Sequence, residues 1–152
     1  MTVIAAVAVL VGVLALATIL GVVLRARTGR ARPTGGRAGT AQAHPTAELG
    51  PADAFGTAAT LVQFSTPTCA RCPATRRQLD AVADTIPGVT RIEIDLAEHP
   101  ELARRFDVMQ TPTVLLLDAD RAIRTRFGGP PRPAELSAAL DTVLTPGTEE
   151  SR

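Results

Sequence analysis

Residues 3–24 carry no charged side chain and consist almost entirely of Val, Leu, Ile and Ala, broken only by Gly12, Thr18 and Gly21. As a helix with ~1.5 Å rise per residue, such a run is roughly 33 Å long, enough to cross a hydrocarbon core of about 30 Å. A helix packed onto a soluble domain small enough for this chain keeps a polar face toward water, and none is visible here. A cleaved signal peptide has a basic start, an apolar core of about 7–15 residues and a small-residue cleavage site. This chain starts Met1-Thr2, and its apolar run is followed at once by Arg25 and Arg27. Of the three readings, a transmembrane anchor over 3–24 fits best.

The charge pattern orients that anchor. Arg25, Arg27, Arg30, Arg32 and Arg37 follow the span with no acidic residue before Glu48. Excess arginine marks the cytoplasmic flank, so the body of the chain is expected on the cytoplasmic side of a single-pass cell-membrane protein. Setting those five aside leaves eleven arginines against 15 acidic residues, a body of about −4. The positive charge therefore belongs to the membrane flank, which argues against a nucleic-acid role.

Residues 25–57 are Ala, Gly, Thr, Pro and Arg without a sustained period and read as a flexible linker. About 33 residues of Gly-rich coil have an r.m.s. reach of roughly 30 Å. The tail 145–152 is expected to be disordered. Between them the pattern alternates. Strand-like runs at 59–64, 90–96, 113–117 and 122–127 are interleaved with helical spacings at 74–86, 100–106 and 133–144. The order β-α-β-α-β-β-α predicts an α/β domain over 58–144, a four-stranded mixed sheet flanked by helices.

Cys69 and Cys72, the two cysteines, lie between the first strand and the first helix, in Ser65-Thr66-Pro67-Thr68-Cys69-Ala70-Arg71-Cys72-Pro73. A sulfur at a helix start faces unpaired N–H groups and the positive end of the dipole, both of which favour thiolate. Arg71 adds a positive charge between the cysteines and pushes the same way. Cys69, ahead of the helix, reads as the attacking nucleophile, and Cys72, in its first turn, as the resolving thiol. Pro73 costs little at an early helical position. Three bland alternatives stand beside this. A structural disulfide closing so short a loop stabilises weakly. A metal site needs four ligands, and the only histidines, His44 and His99, have no motif spacing and read as solvent-facing. Gln63 reads as a polar residue with a satisfied amide.

The C-x-x-C pair at this junction, Thr111-Pro112-Thr113 ahead of a strand and Gly128-Gly129 after a hairpin make residues 58–144 resemble the thioredoxin-like superfamily. The resemblance implies a thiol–disulfide oxidoreductase with no bound cofactor, taking electrons from a partner reductase or another dithiol and exchanging them with protein substrates. It also implies that Pro112 is cis and lies against the cysteines, with the Thr111 backbone available to bind an extended substrate segment. A reductase serving membrane-proximal clients is the expected role. The alternatives are an extracytoplasmic thiol oxidoreductase and a tethered binding module without turnover. The chain departs from the family pattern at Thr68, where Trp is usual, at Ala70-Arg71, where Gly-Pro is usual, and at Gln63, which occupies the place of a buried acid. A glutamine cannot take a proton from the resolving thiol; Glu93 and Asp95 on the adjacent strand are candidate substitutes.

Overall fold

The computed structural model describes residues 2–27, 31–33 and 46–145. The first element, helix α1 (Thr2–Arg27), is exposed at every described side chain from Val3 to Leu24. An apolar helix that buries nothing in the domain is not one of its core helices. Its length and composition suit a membrane span or a signal sequence.

The rest builds one sheet from β1 (Ala31–Pro33), β2 (Ala59–Ser65), β3 (Val89–Asp95), β4 (Thr113–Asp118) and β5 (Ile123–Gly128). They lie in the order β1-β5-β4-β2-β3. Helices α2 (Cys72–Thr85), α3 (Pro100–Arg105) and α4 (Pro133–Leu144) cover its faces. Only β2 and β3 run parallel, joined by α2 in a β-α-β crossover; every other pairing is antiparallel. Strand β2 lies inside the sheet, between β4 and β3, and is buried at all seven positions. Its alternation divides the core, because successive side chains point to opposite faces. Val62 and Phe64 join Leu102 and Phe106 on the α3 face, and Leu61 joins Leu79, Leu136 and Leu140 on the α2–α4 face. The Phe64 and Phe106 rings pack with centroids 5.7 Å apart, a tilted aromatic contact.

The expected mixed α/β sheet is present, with five strands in place of four. The extra strand comes from the region read as linker. Ala31, Arg32 and Pro33 pair with Phe127, Arg126 and Thr125 of β5, and the Ala31 N–H donates to the Glu135 carboxylate on α4. Two 3-10 turns, Thr46–Leu49 and Ala52–Ala54, precede β2. They bring Leu49 and Phe55 into the α3-face core. Glu48 pairs with Arg105, and Arg121 lies over the Phe55 ring at 4.6 Å. A three-residue strand and two isolated apolar residues have no local period, so pairing and burial at long range decide them. The remainder of that stretch (28–30 and 34–45, with Arg30, Arg37 and His44) and the tail 146–152 lie outside the described residues.

Gly56 and Gly88 lock the entry to β2. Gly88 has φ +80, and a Cβ on Gly56 would sit 2.1 Å from the Ala59 carbonyl oxygen. The folded unit therefore reaches back at least to Leu49. Leu49→Ala should destabilise the protein by about 2–4 kcal/mol. Asp53→Ala, at an exposed position of the same segment, should leave it within about 0.5 kcal/mol. Chemical denaturation followed by circular dichroism distinguishes the two; a neutral Leu49→Ala would return this segment to the linker.

Candidate functional site

The site forms where β2 ends. Because β2 and β4 are antiparallel, with Phe64 opposite Thr113, the segment leaving β2 and the segment entering β4 meet at the same end of the sheet. The Thr66 and Thr111 hydroxyls lie 3.3 Å apart, joining the two loops. The Thr66 carbonyl accepts the Cys69 N–H at 3.1 Å, and the Cys69 carbonyl accepts the Cys72 N–H at 3.2 Å. A short chain of contacts thus runs from Cys72 through Cys69 and Thr66 to Thr111. The Thr111-Pro112 peptide is cis, Pro112 is buried, and its carbonyl accepts the Gly129 N–H at 2.8 Å. The Gly128-Gly129 step after the hairpin is thereby tied to the same loop.

Cys69 and Cys72 are joined by a disulfide. Cys72 opens α2 and is 3% exposed; Cys69 is half-buried and fronts a cleft of about 410 Å³. Arg76, Glu93, Asp95 and Glu98 wall that cleft. Arg71 is exposed, and among the described residues its guanidinium has no ion-pair partner. Its carbonyl takes both the N–H and the hydroxyl of Thr75, each at 3.1 Å, which fastens the first turn of α2.

The two candidate acids prove to be engaged. Parallel pairing sets Gln63 opposite Glu93 and Ser65 opposite Asp95, on the face that α2 covers. Glu93 accepts hydrogen bonds from Ser65 Oγ at 2.9 Å and from Arg76 at 2.6 Å, and Arg91 bonds its other oxygen at 3.1 Å. Partial burial pushes the Glu93 carboxyl up, but the bonds from Arg76 and Ser65 and the charges of Arg76 and Arg91 outweigh it. They hold the group below the usual carboxylate range. The same pair raises Arg76, chiefly through the Glu93 hydrogen bond. An ionised carboxylate with three donors is a poor proton acceptor. Asp95 accepts the Ala97 N–H at 2.8 Å.

Gln63, fully buried beneath α2, is satisfied at one end only. Its Nε2 donates to the Cys72 carbonyl at 3.1 Å, whereas its Oε1 has no partner. The expectation of a satisfied amide is corrected to that extent. Sequence reasoning also missed Arg76 and the Thr66–Thr111 contact, which join residues of distant segments and leave no local signal. His99 is exposed, 3.5 Å from Glu101. Among the described residues no cluster of three His, Cys, Asp or Glu is placed to hold a metal.

Residues 54–142 match the family model for thioredoxin. The thioredoxin of Methanocaldococcus jannaschii is 33% identical over 54 residues, which cover 35% of this chain and 64% of the archaeal protein, so less than two thirds of that relative is spanned. The thioredoxin of Chlamydia trachomatis is 26% identical over 77 residues, 51% of this chain and 76% of that one. Among solved structures, Fasciola hepatica thioredoxin superposes with a TM-score of 0.51 at 22% identity, covering 58% of this chain and 83% of its own. A mutant thioredoxin from Halobacterium salinarum gives 0.54 at 18% identity, covering 60% and 79%. At these identities the structural likeness speaks to the fold.

A carboxyl lowered by its folded surroundings adds stability that is present above its unfolded value, near 4.5, and is lost as pH falls through the lower folded value. Glu93→Gln should therefore lower stability at neutral pH and flatten the acid limb of a stability–pH curve below about 4.5. An acid limb identical in slope to that of the unsubstituted protein would show that the Arg76–Glu93–Arg91 cluster contributes nothing.

Proposed function

The chain belongs to the thioredoxin family, and from that premise we propose that it is a membrane-tethered thiol–disulfide oxidoreductase that reduces disulfides in membrane-proximal protein clients. The observation that carries the reading is the unequal exposure of two bonded sulfurs at the start of α2. Both line the cleft, but Cys69 is half-buried whereas Cys72 is only 3% exposed. In the reduced protein the Cys69 thiolate, favoured by the helix start and by Arg71, attacks a client disulfide. One client sulfur leaves as thiolate and takes a proton, and a mixed disulfide forms. Cys72 then attacks the Cys69 sulfur, displaces the second client sulfur and restores the Cys69–Cys72 bond. A dithiol donor returns two electrons and two protons. Thr111, beside the buried Pro112, offers its backbone to an extended client segment.

The tether is supported by α1 and by the chain that follows it. Only residues 28–30 separate the end of α1 at Arg27 from the start of β1 at Ala31, a reach of at most roughly 14 Å. A domain on so short a lead works at the bilayer surface. The arginine-rich flank favours the cytoplasmic side for that surface.

Insulin reduction by the full chain in detergent should require both cysteines and fall to background in Cys69→Ser. Cys72→Ser should accumulate mixed disulfides through Cys69, visible on non-reducing gels and absent from the double variant. Turnover that survives Cys69→Ser would overturn the assignment of the nucleophile. Separately, a fluorescent-protein fusion at the carboxyl terminus should be active and an alkaline-phosphatase fusion inactive; the reverse pattern would move the domain outside.

A further inference from the structure

Gln63 is bonded by one end to the carbonyl of Cys72, the cysteine that the proposed cycle asks to resolve mixed disulfides, and is unsatisfied at the other. Since the Cys72 carbonyl only accepts, the bond from Nε2 fixes the orientation of the amide and leaves Oε1 as the lone end. It is the one buried side-chain oxygen or nitrogen without a partner among the described residues. A buried acceptor left open is costly and calls for a donor. In the oxidised protein neither sulfur carries a hydrogen. Pro73 lacks an N–H, and Arg76 is committed to Glu93.

Reduction supplies the donor. Two glutathione thiols deliver two electrons and two protons, the Cys69–Cys72 bond breaks, each sulfur takes a hydrogen, and glutathione disulfide leaves. Cys72, almost sealed from water, then carries a new S–H on the residue whose carbonyl already holds Gln63. We propose that Gln63 is a positioning residue for the resolving thiol: in the reduced protein the Cys72 S–H donates to Gln63 Oε1. The inference rests on the reading of Cys72 as resolving thiol. Because the bond exists only when Cys72 is protonated, it stabilises the dithiol over the disulfide. It also holds Cys72 as a thiol while Cys69 stands alone as nucleophile. Here the amide does by donation and acceptance what a base at this place would undo by taking the proton.

The test uses the full chain in detergent micelles. Cys69→Ser leaves Cys72 as the sole thiol, and its infrared S–H stretch should fall at the lower frequency of a hydrogen-bonded thiol. It should rise when Gln63→Met is added. A band at the free-thiol frequency with Gln63 intact overturns the proposal, whether or not the methionine variant folds. With both cysteines present, Gln63→Met should shift the equilibrium against glutathione toward the disulfide by about fivefold, the worth of one ordinary hydrogen bond. An unchanged constant also overturns it. Neither measurement needs turnover, so its failure is separable from failure of the oxidoreductase reading, which insulin reduction scores.

Discussion

The sulfur-bearing turn depends on strand β2, which is buried at every position and bonded on both sides, to β3 and to β4. A strand in that position cannot shift by one residue without sending Leu61 and Phe64 to the wrong faces. Its register therefore fixes where Ser65 ends the strand and where Thr66 begins the turn. From there three backbone and hydroxyl contacts carry the placement to Cys69, Cys72 and Thr111. Gln63, two residues before the strand ends, adds a bond from below to the Cys72 carbonyl. The first turn of α2 is consequently anchored to a fully buried strand paired on both sides, and the two sulfurs inherit that placement.

Strand β3 meets a different demand. As the outer partner of β2 it is an edge, and an apolar edge invites pairing with other chains. On the α2 face it carries Arg91, Glu93 and Asp95 in alternation, with Asp80 and Arg76 of the helix reaching over to pair with Arg91 and Glu93. The opposite face of the strand remains apolar through Ile92 and Ile94, which serve the α3-side core. One strand thus protects an edge, closes a core and walls the cleft. The charges that line the cleft neutralise one another in part, so Glu93 and Arg76 act as a brace more than as a field aimed at a ligand.

What the sequence disclosed was whatever repeats locally. The alternation Ile92, Ile94, Leu96 and the helical spacing Leu136, Leu140 each form one buried side of an element. The structure places Val89–Asp95 and Pro133–Leu144 close to where the pattern puts them. The cysteine pair at a strand-to-helix junction was equally legible, because the junction is defined by its flanking runs. Leu49 and Phe55 were not, since each is a single large apolar residue among small residues, Gly and Pro with no period, and becomes core only when α3 and β2 supply its neighbours. The same holds for Ala31–Pro33, whose strand exists through pairing with β5. Gln63 was legible as unusual, but its two ends are distinguished by one carbonyl above it.

The pairing of β1 shortens the lead that joins α1 to the sheet. Pairing runs in one row across the sheet, from Ala31 to Phe127 to Val114 to Gln63 to Glu93. The chain coming from α1 thus joins the sheet at the level of the row that lies under Cys72, at the end where the disulfide and the Thr111-Pro112 loop meet. It joins at the edge farthest from β3, four strand spacings or roughly 19 Å from the walled cleft. A long free coil would let the sulfurs face any direction. A lead of three residues entering at this end instead keeps it within a short reach of α1, while the width of the sheet separates the cleft from the point of entry. Were α1 to anchor the chain as proposed, geometry would favour disulfides held close to the membrane surface before any side chain is recognised.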